Sequence, residues 1–245
     1  MSDLSFSIHP LELANALFNA VEVSKDAGGR PGCPHVMIYY GPDDRGEAGM
    51  VIVYGIGRIV GGRTTLALES HAPDDWASVC ISRERADQVQ SMLRRQVKGG
   101  KAARVSVKIS ESGIESVDFD EDGNPEVGYF NLVISKEDDD SFVELIESDP
   151  EGEWSAHLGL IDKILGKTKG PYEGPVALSL EAMDRVTALK GLSSKIMDLA
   201  RTDHEKVAAV AVGPTFRGIV ATIDRSIYAD EDHDGFLLSS PAASS

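Results

Sequence analysis

A short apolar strand pattern runs directly into an amphipathic helix pattern at three places in this chain. The segments are SFSIHPLELANAL at 5–17, SVCISRERADQVQSML at 78–93 and PVALSLEAMDRVTAL at 175–189. The last two match at aligned positions: Ile81 with Leu178, Ser82 with Ser179, Glu84 with Glu181, Asp87 with Asp184 and Val89 with Val186. Several alternating segments, rather than one parallel strand, follow each helix. The repeat therefore argues against a doubly wound sheet and predicts an α+β fold, with helices on one face of antiparallel sheets.

Apolar spacing predicts helices from Pro10, from Arg83, from Ser155 to about Leu165, and from Glu181 to Leu189. Ser155 and Ser179 are the expected N-caps of the last two. The last two predicted helices begin too close together to leave room for a helix and three strands between them. The first half of the second domain is therefore expected to be abbreviated. Period-two alternation predicts strands at 5–8, 35–40, 50–54, 64–70, 78–81, 104–109, 113–119, 129–134, 142–146, 176–178, 195–199, 207–212 and 216–223.

The acidic stretch KEDDDS at 136–141 is the expected domain boundary. It divides the chain into an N-terminal domain at 1–136 and an abbreviated C-terminal domain at 137–229. Residues 230–245 begin acidic and continue with small residues, which predicts a disordered acidic tail.

The charge of the chain is strongly negative overall, yet one segment is basic. The net charge is -16, with 40 acidic residues against 24 Lys and Arg. Between Ser82 and Arg104, however, seven cations stand against two acids, Glu84 and Asp87. Ala86, Val89, Leu93 and Val97 form the expected buried stripe of this helix, which leaves Arg94, Arg95 and Lys98 on or beside the opposite face. Such a stripe could bind phosphates without base contacts, while the acidic remainder discourages DNA from binding elsewhere.

Three segments resemble the sliding-clamp family, the rings that tether replicative polymerases to DNA. They are FSIHPLELANALFNAV at 6–21, SVCISRERADQVQSMLRR at 78–95 with the two predicted strands after it, and KVAAVAVGPTFRGIVATIDRSI at 206–227. The resemblance implies a two-domain, phage- or bacterial-like clamp, with helices lining a hole and sheets outside. It implies double-stranded DNA, a DNA polymerase and a clamp loader as partners. It also implies a homo-oligomer, with a trimer favoured over a dimer.

The resemblance and the positions of the cations together give a set of expected site residues. DNA contacts are expected from Arg94, Arg95, Lys98, Lys101, Lys163, Lys167, Lys169, Arg185 and Lys190. Apolar residues near a domain junction are expected to bind a partner peptide: Phe142, Ile146, Ile219, Ile227 and Tyr228. The apolar residues Phe236 to Leu238 could also visit such a pocket. A clamp-fold interaction protein that binds replication proteins without encircling DNA is the alternative.

Other chemistry is weakly supported by the sequence. The segments that begin at Asp118 and Asp230 start like calcium loops but carry Tyr129 and Pro241 where the loop needs Glu. Gly55 to Gly62 lacks the GxGxxG spacing, and Cys33 with His35 has no second ligand pair. No nucleophile–base set is recognisable, so a non-enzymatic protein without cofactor or metal is expected. An enzyme whose site the sequence does not reveal stays open.

The expected location is the cytoplasm. The first residues, MSDLSFSIHP, have no cationic region and no long apolar core of the kind that opens a secretory signal. Two cysteines make no disulfide framework, which favours a reducing compartment. No membrane partner is expected, because no apolar run reaches the ~18–20 residues that a membrane helix needs.

Overall fold

A computed structural model describes residues 4–26, 33–74, 76–97, 105–111, 129–136, 144–148, 160–172, 176–191, 197–204 and 206–223. Its strands are β1 (Leu4–Ile8), β2 (His35–Pro42), β3 (Ala48–Ile56), β4 (Val60–His71), β5 (Ala77–Ser82), β6 (Val105–Glu111), β7 (Tyr129–Lys136), β8 (Glu144–Ser148), β9 (Met197–Arg201), β10 (Val207–Val212) and β11 (Phe216–Ala221). Its helices are α1 (Pro10–Val23), α2 (Arg83–Val97), α3 (160–165) and α4 (Leu180–Ala188).

The strands form two antiparallel sheets in the part of the chain that the structure describes. The larger has seven strands in the order β5-β2-β3-β4-β11-β10-β9, and the smaller has four in the order β1-β6-β7-β8. Early and late parts of the sequence share the larger sheet, because β4 pairs with β11 from Val60↔Val220 to Thr64↔Phe216. The predicted α+β class with antiparallel strands is confirmed.

Each strand-to-helix transition has a local cause. Pro10 occupies the first turn of α1, and Leu11 donates its N–H to His9 Nδ1 at 3.2 Å. Ser82 Oγ accepts from Arg85 N at 3.2 Å, and Ser179 Oγ accepts from Ala182 N at 3.0 Å. These bonds satisfy N–H groups that a helix start otherwise leaves unpaired. The predicted serine cap of α4 is therefore confirmed.

The helices α1, α2 and α4 lie on one face of the seven-stranded sheet. Strand side chains alternate, so Val51 and Val53 of β3 join the core under α1 while Ile52 and Tyr54 point to the other face. A Cβ on Gly55 would lie 2.1 Å from the Ala20 carbonyl oxygen, so glycine permits the close approach of α1 to β3. The helix α4 packs its buried face on the last strands, and the residues in contact are Ala182, Val186, Leu189, Val210, Val212, Phe216 and Val220.

The helix α3 lies on the opposite face of the same sheet. Its buried Ile161 reaches to 3.3 Å from the position that a Cβ on Gly61 would occupy. Tyr54, which points away from α1, donates its hydroxyl to Asp162 of α3. The sequence predicted α3 as one more member of a helix repeat, and only the structure shows that it packs on the other side.

The described backbone tests some of the predictions made from the sequence and leaves others untested. Val176 to Leu178 is extended but belongs to no strand, so that strand prediction was wrong; Ala177 O accepts only from Ile223 N, at 2.9 Å, among the described backbone bonds. The predicted strand 113–119 and tail 230–245 lie outside the described residues. The boundary at 136/137 stays a prediction, and β8 beyond it pairs with β7 before it. Among described helices, none is long and apolar enough to span a membrane.

Candidate nucleic-acid interface and ligand pocket

Arginines of α2 join α1 and α2 near both ends of the pair. Arg83 donates from Nη1 to Ser24 O at 2.9 Å and to Asp26 Oδ1 at 3.0 Å, just beyond the end of α1. Arg94, near the end of α2, donates from Nη2 to Asn15 Oδ1 at 2.8 Å. The start of α2 therefore lies beside the end of α1, so the two helices run antiparallel.

The end of α4 is joined to α1 through Asn19. The Asn19 side chain accepts from Lys190 N at 2.7 Å and donates to Lys190 O at 3.1 Å. It is fully buried, and its Nδ2 also lies 3.3 Å from Thr64 Oγ1 of β4. Gly191 follows with φ of +72°, a conformation that favours glycine, and packs against Asn15. The helices α2, α1 and α4 thus form one connected row.

Two cations flank one aromatic ring on the row α2-α1-α4. Arg94 of α2 and Lys190 after α4 each place their charge 5.5 Å from the centroid of the Phe18 ring. Phe18 is half-buried on α1, and Lys190 is exposed. The ring quadrupole attracts both cations, which holds them at the seams between α1 and its two neighbours.

The remaining surface of the row α2-α1-α4 has both signs of charge. Arg85 and Arg95 are exposed on α2, as are Glu84 and Asp87, while Glu12 is exposed on α1. The predicted stripe of α2 is confirmed at Ala86, Val89 and Leu93, which are buried, whereas Val97 is half-buried. Lys98 and Lys101 lie outside the described residues.

Arg185 has a different environment from the one expected of a DNA contact. Its side chain is only 12% exposed and lies near Glu22 and Glu181, at 3.9 and 3.2 Å. It also donates to Glu22 O at 3.1 Å and Asp26 O at 2.6 Å, at the carbonyl end of α1. A cation there satisfies terminal carbonyls and opposes the negative end of the helix dipole. This guanidinium is therefore occupied within the fold.

Three predicted DNA contacts lie on the other face of the sheet. Lys163 on α3, and Lys167 and Lys169 after it, are exposed beside the outward-facing strands. Lys169 Nζ is 2.6 Å from Asp203 Oδ1, and this bond lowers the pKa of Asp203. The structure does not bring these lysines together with Arg94, Arg95 and Lys190. We call Lys163, Lys167 and Lys169 the outer lysine cluster.

A cavity of about 920 Å³ opens on the same outer face. We call it the outer cavity. Its walls are α3 with the chain to Pro171 on one side and β9 and β10 on the other. The small side chains of Ala200, Ala209 and Ala211 leave the space that Leu165 and Leu199 border, and Arg63 and Arg217 stand at its edge. The size and apolar lining suit a ligand or a peptide side chain. The sequence contained one signal for this cavity, the small residues at outward strand positions, but the cavity was not predicted from it.

The expected partner-binding set is not brought together at this cavity. Ile219 of β11 lies on the outer face, close to Gly61, but does not line the cavity. Ile146 belongs to β8 in the smaller sheet. Phe142, Ile227 and Tyr228 lie outside the described residues. The sequence therefore anticipated an apolar docking site but assigned it to different residues.

A polar bridge holds α3 to the outer face of the sheet. Tyr54 donates to Asp162 Oδ2 at 2.7 Å, and Arg63 Nη1 lies 2.9 Å from Asp162 Oδ1. Burial, followed by this hydrogen bond to the carboxylate, raises the pKa of Tyr54 to about 12. A second cavity, of about 430 Å³, begins on the other side of this bridge and is bordered by Tyr39 and Trp76. The bridge therefore separates two cavities on one face.

The described residues contain no group of three or more His, Cys, Asp or Glu side chains that could hold a metal ion. Cys33 and Cys80 are both buried and unbridged, and burial raises the pKa of the Cys33 thiol. A buried thiol with a raised pKa is a poor nucleophile.

Comparison with known proteins shows a shared fold. No family model and no curated protein matches this sequence. Among solved structures, the chain resembles the DnaN sliding clamp of Pseudomonas aeruginosa bound to griselimycin, with TM-score 0.52 and 9% identity over 91% of this chain and 65% of that one. It also resembles the beta sliding clamp of Caulobacter crescentus, with TM-score 0.52 and 13% identity over the same shares. The chain thus has the sliding-clamp fold and spans about 65% of the length of these clamps.

Proposed function

We propose that this chain, which has the sliding-clamp fold, is a subunit of a ring that encircles duplex DNA and tethers a DNA polymerase. One observation carries the proposal. The row α2-α1-α4 lies on one face of a sheet that continues from β5 to β9 across both halves of the described chain. The row α2-α1-α4 covers one side of this sheet and α3 packs on the other, so the two surfaces are distinct and a closed ring of such subunits can turn the row α2-α1-α4 inward.

The row supports DNA contact through phosphates. Arg85, Arg95 and Lys190 are exposed on it, and Arg94 lies at the seam between α1 and α2. Packing against Phe18 keeps Arg94 and Lys190 near the surface, which reduces the side-chain entropy lost on binding. Contacts of this kind neutralise phosphate charge and read no sequence, as a sliding ring requires. We include Lys98 and Lys101 as further contacts on sequence grounds.

The acids on the same row limit how strongly DNA is held. Glu12, Glu84 and Asp87 alternate with the cations, and the chain as a whole carries a charge of -16. A topological link needs no high affinity, because the ring retains DNA by enclosing it. Weak, mixed electrostatics inside the hole would therefore favour sliding over static binding, while the acidic remainder repels DNA from other surfaces.

We propose a homotrimer, with the dimer as the alternative. The chain spans about 65% of the length of the clamps it resembles, so a ring of similar circumference needs more copies of it.

DNA and partner proteins would bind on opposite faces of the subunit. A DNA polymerase and a clamp loader would insert apolar side chains into the outer cavity, which lies on the face opposite the row α2-α1-α4. The ring itself would act without catalysis.

Native mass measurement combined with low-resolution imaging tests this function. At micromolar concentration we expect a trimer mass and a ring whose hole admits a DNA duplex. A strictly monomeric chain with no loader present would contradict the self-assembling ring. The clamp-fold interaction protein predicts a monomer or an open assembly that still binds replication proteins, so the same measurement separates the two functions.

A further inference from the structure

The outer lysine cluster lies on the face that holds an apolar cavity rather than beside the row α2-α1-α4. Lys163 and Lys167 are exposed next to the cavity residues Asp162 and Gly166, and Lys169 is 62% exposed. Arg63 and Arg217 border the cavity itself. Against these five cations stand four carboxylates, Asp44, Asp162, Asp198 and Asp203. An apolar hole with a cationic rim is complementary to a peptide that carries acids next to apolar anchors.

The chain contains such a segment. Residues 230–238 read DEDHDGFLL, in which four acids and one histidine precede Phe236, Leu237 and Leu238 across a single glycine. We propose that this segment docks into the outer cavity of its own chain, with the Phe–Leu–Leu anchors inside and the acids on the cationic rim. Docked there, it would compete with partner peptides for the same cavity. The competition rests on the proposed function, whereas the docking does not.

The chain between β11 and residues 230–238 is long enough for this docking, and it begins close enough to the outer cavity. Ala221, the last residue of β11, pairs with Val207, two positions before the cavity residue Ala209. Two strand positions correspond to about 7 Å. From Ile223 to Phe236 the chain can span up to roughly 45 Å when extended. The segment can therefore turn over the outer face and reach the cavity without any change in the sheet.

A segment that belongs to the same chain as its binding site can occupy that site even when its intrinsic affinity is low. A segment joined to its site by a short stretch of chain experiences an effective concentration of about 1 mM. If the free peptide binds with a Kd of about 100 µM, its own site is occupied about ten to one in the intact chain. A stronger partner can still displace it, so the segment would select against weak competitors rather than block the cavity permanently.

A labelled peptide of residues 229–240 tests the docking without DNA or polymerase. Its affinity is measured for the intact chain and for a full-length variant with Phe236→Ser, Leu237→Ser and Leu238→Ser, which alters nothing in the described core. We expect the peptide to bind the variant about tenfold more tightly, because the internal competitor is gone. Equal affinity for both proteins, or no binding to the variant at millimolar peptide, would overturn the proposal.

Two further variants of the triple-serine protein locate the binding site. Ala211→Phe fills the cavity, and Lys163→Glu with Lys167→Glu reverses the rim charge; each is expected to weaken peptide binding at least several-fold. Arg95→Glu with Lys190→Glu reverses two charges on the helix face and is the matched control, expected to leave peptide affinity unchanged. A peptide that responds to this control and not to the cavity variants would place binding elsewhere and contradict the proposal.

A disulfide between Ala211→Cys and Leu237→Cys distinguishes docking in the same chain from docking in another copy. We expect a cross-linked monomer whose yield is independent of protein concentration. Cross-linked dimers that increase with concentration would overturn docking within one chain. The result also stands apart from the clamp proposal, because a chain that forms no ring can still dock its own segment, and a ring can form without it.

Discussion

Asn19 and Lys190 are joined by two hydrogen bonds, one to each backbone group of the lysine. The amide of Asn19 accepts from Lys190 N at 2.7 Å and donates to Lys190 O at 3.1 Å, as a neighbouring strand would. Because Asn19 is fully buried on α1, this pairing fixes where α4 ends relative to the row of helices. It also sets the Lys190 ammonium beside Phe18. One buried polar residue thus positions a cation of the proposed DNA surface.

Replacement of Asn19 by Leu is expected to destabilise the protein by about 1–3 kcal/mol, because the backbone groups of Lys190 lose their partners in a desolvated site. Urea unfolding measures the change. Glu12→Ala on the exposed side of the same helix is the control and should stay within about 0.5 kcal/mol of wild type. An unchanged midpoint for Asn19→Leu would show that the pairing contributes nothing.

Reversal of charge on the helix face should weaken DNA binding, while reversal on the outer face should not. Arg95→Glu combined with Lys190→Glu is expected to lower the affinity for duplex DNA and to reduce the salt slope by roughly 0.9 for each phosphate that the protein no longer neutralises. Lys163→Glu with Lys167→Glu makes the same change in net charge and is the matched control. DNA affinity measured across a salt series would contradict the assignment of faces if both pairs had equal effects.

Arg185→Ala should act on stability rather than on DNA. The substitution removes one of the two cations at Glu22, where Lys25 remains, and takes a donor from the carbonyls of Glu22 and Asp26. The loss of these buried hydrogen bonds is expected to cost about 1–3 kcal/mol. Thermal and urea unfolding report the loss. Arg185→Lys retains the charge but not the fork of donors, so we expect only partial rescue; full rescue would indicate that charge alone matters there.

Burial of Tyr54, together with its hydrogen bond to Asp162, makes the stability of the protein depend on pH in the alkaline range. The folded pKa of Tyr54, about 12, is raised above the value of about 10 for an unfolded chain. A raised pKa means that the stabilisation is complete below pH 10 and is lost as the pH rises through 12. Unfolding free energy should therefore fall more steeply between pH 10 and 12 for wild type than for Tyr54→Phe. Parallel pH profiles for the two proteins would contradict this.

Periodicity along the chain was enough to predict most of the fold. Apolar spacing on α2 predicted burial of Ala86, Val89 and Leu93, and Ser179 was recognised as a helix cap from its place before an amphipathic run. The hairpin from β10 to β11 followed from alternation around Gly213, which has φ of +58°. Each of these features is set by residues a few positions apart, where propensity, capping and side-chain alternation act directly.

Helical spacing in the sequence predicted only part of the candidate site. Arg95 was expected on the exposed face of α2, and it lies there. Arg94 and Arg185 were expected to face DNA, which stays a prediction, but their intramolecular partners, Asn15 for Arg94 and the end of α1 for Arg185, were not predicted. A helical wheel gives the direction of a side chain but not the identity of the neighbour in that direction. The outer cavity was missed because its walls come from separate regions of the sequence.

The sequence by itself determined most of the described strands and helices, the cap of α4 and the buried stripe of α2, because these depend on local spacing. Only the tertiary structure decided that α3 packs opposite α1, since Asp162 meets Tyr54 across 108 residues of chain. It also decided that Lys163, Lys167 and Lys169 lie on the face that holds the outer cavity, while Arg95 and Lys190 share the helix row. Long-range pairing of β4 with β11 sets these positions, because the strand register fixes which surfaces face each other.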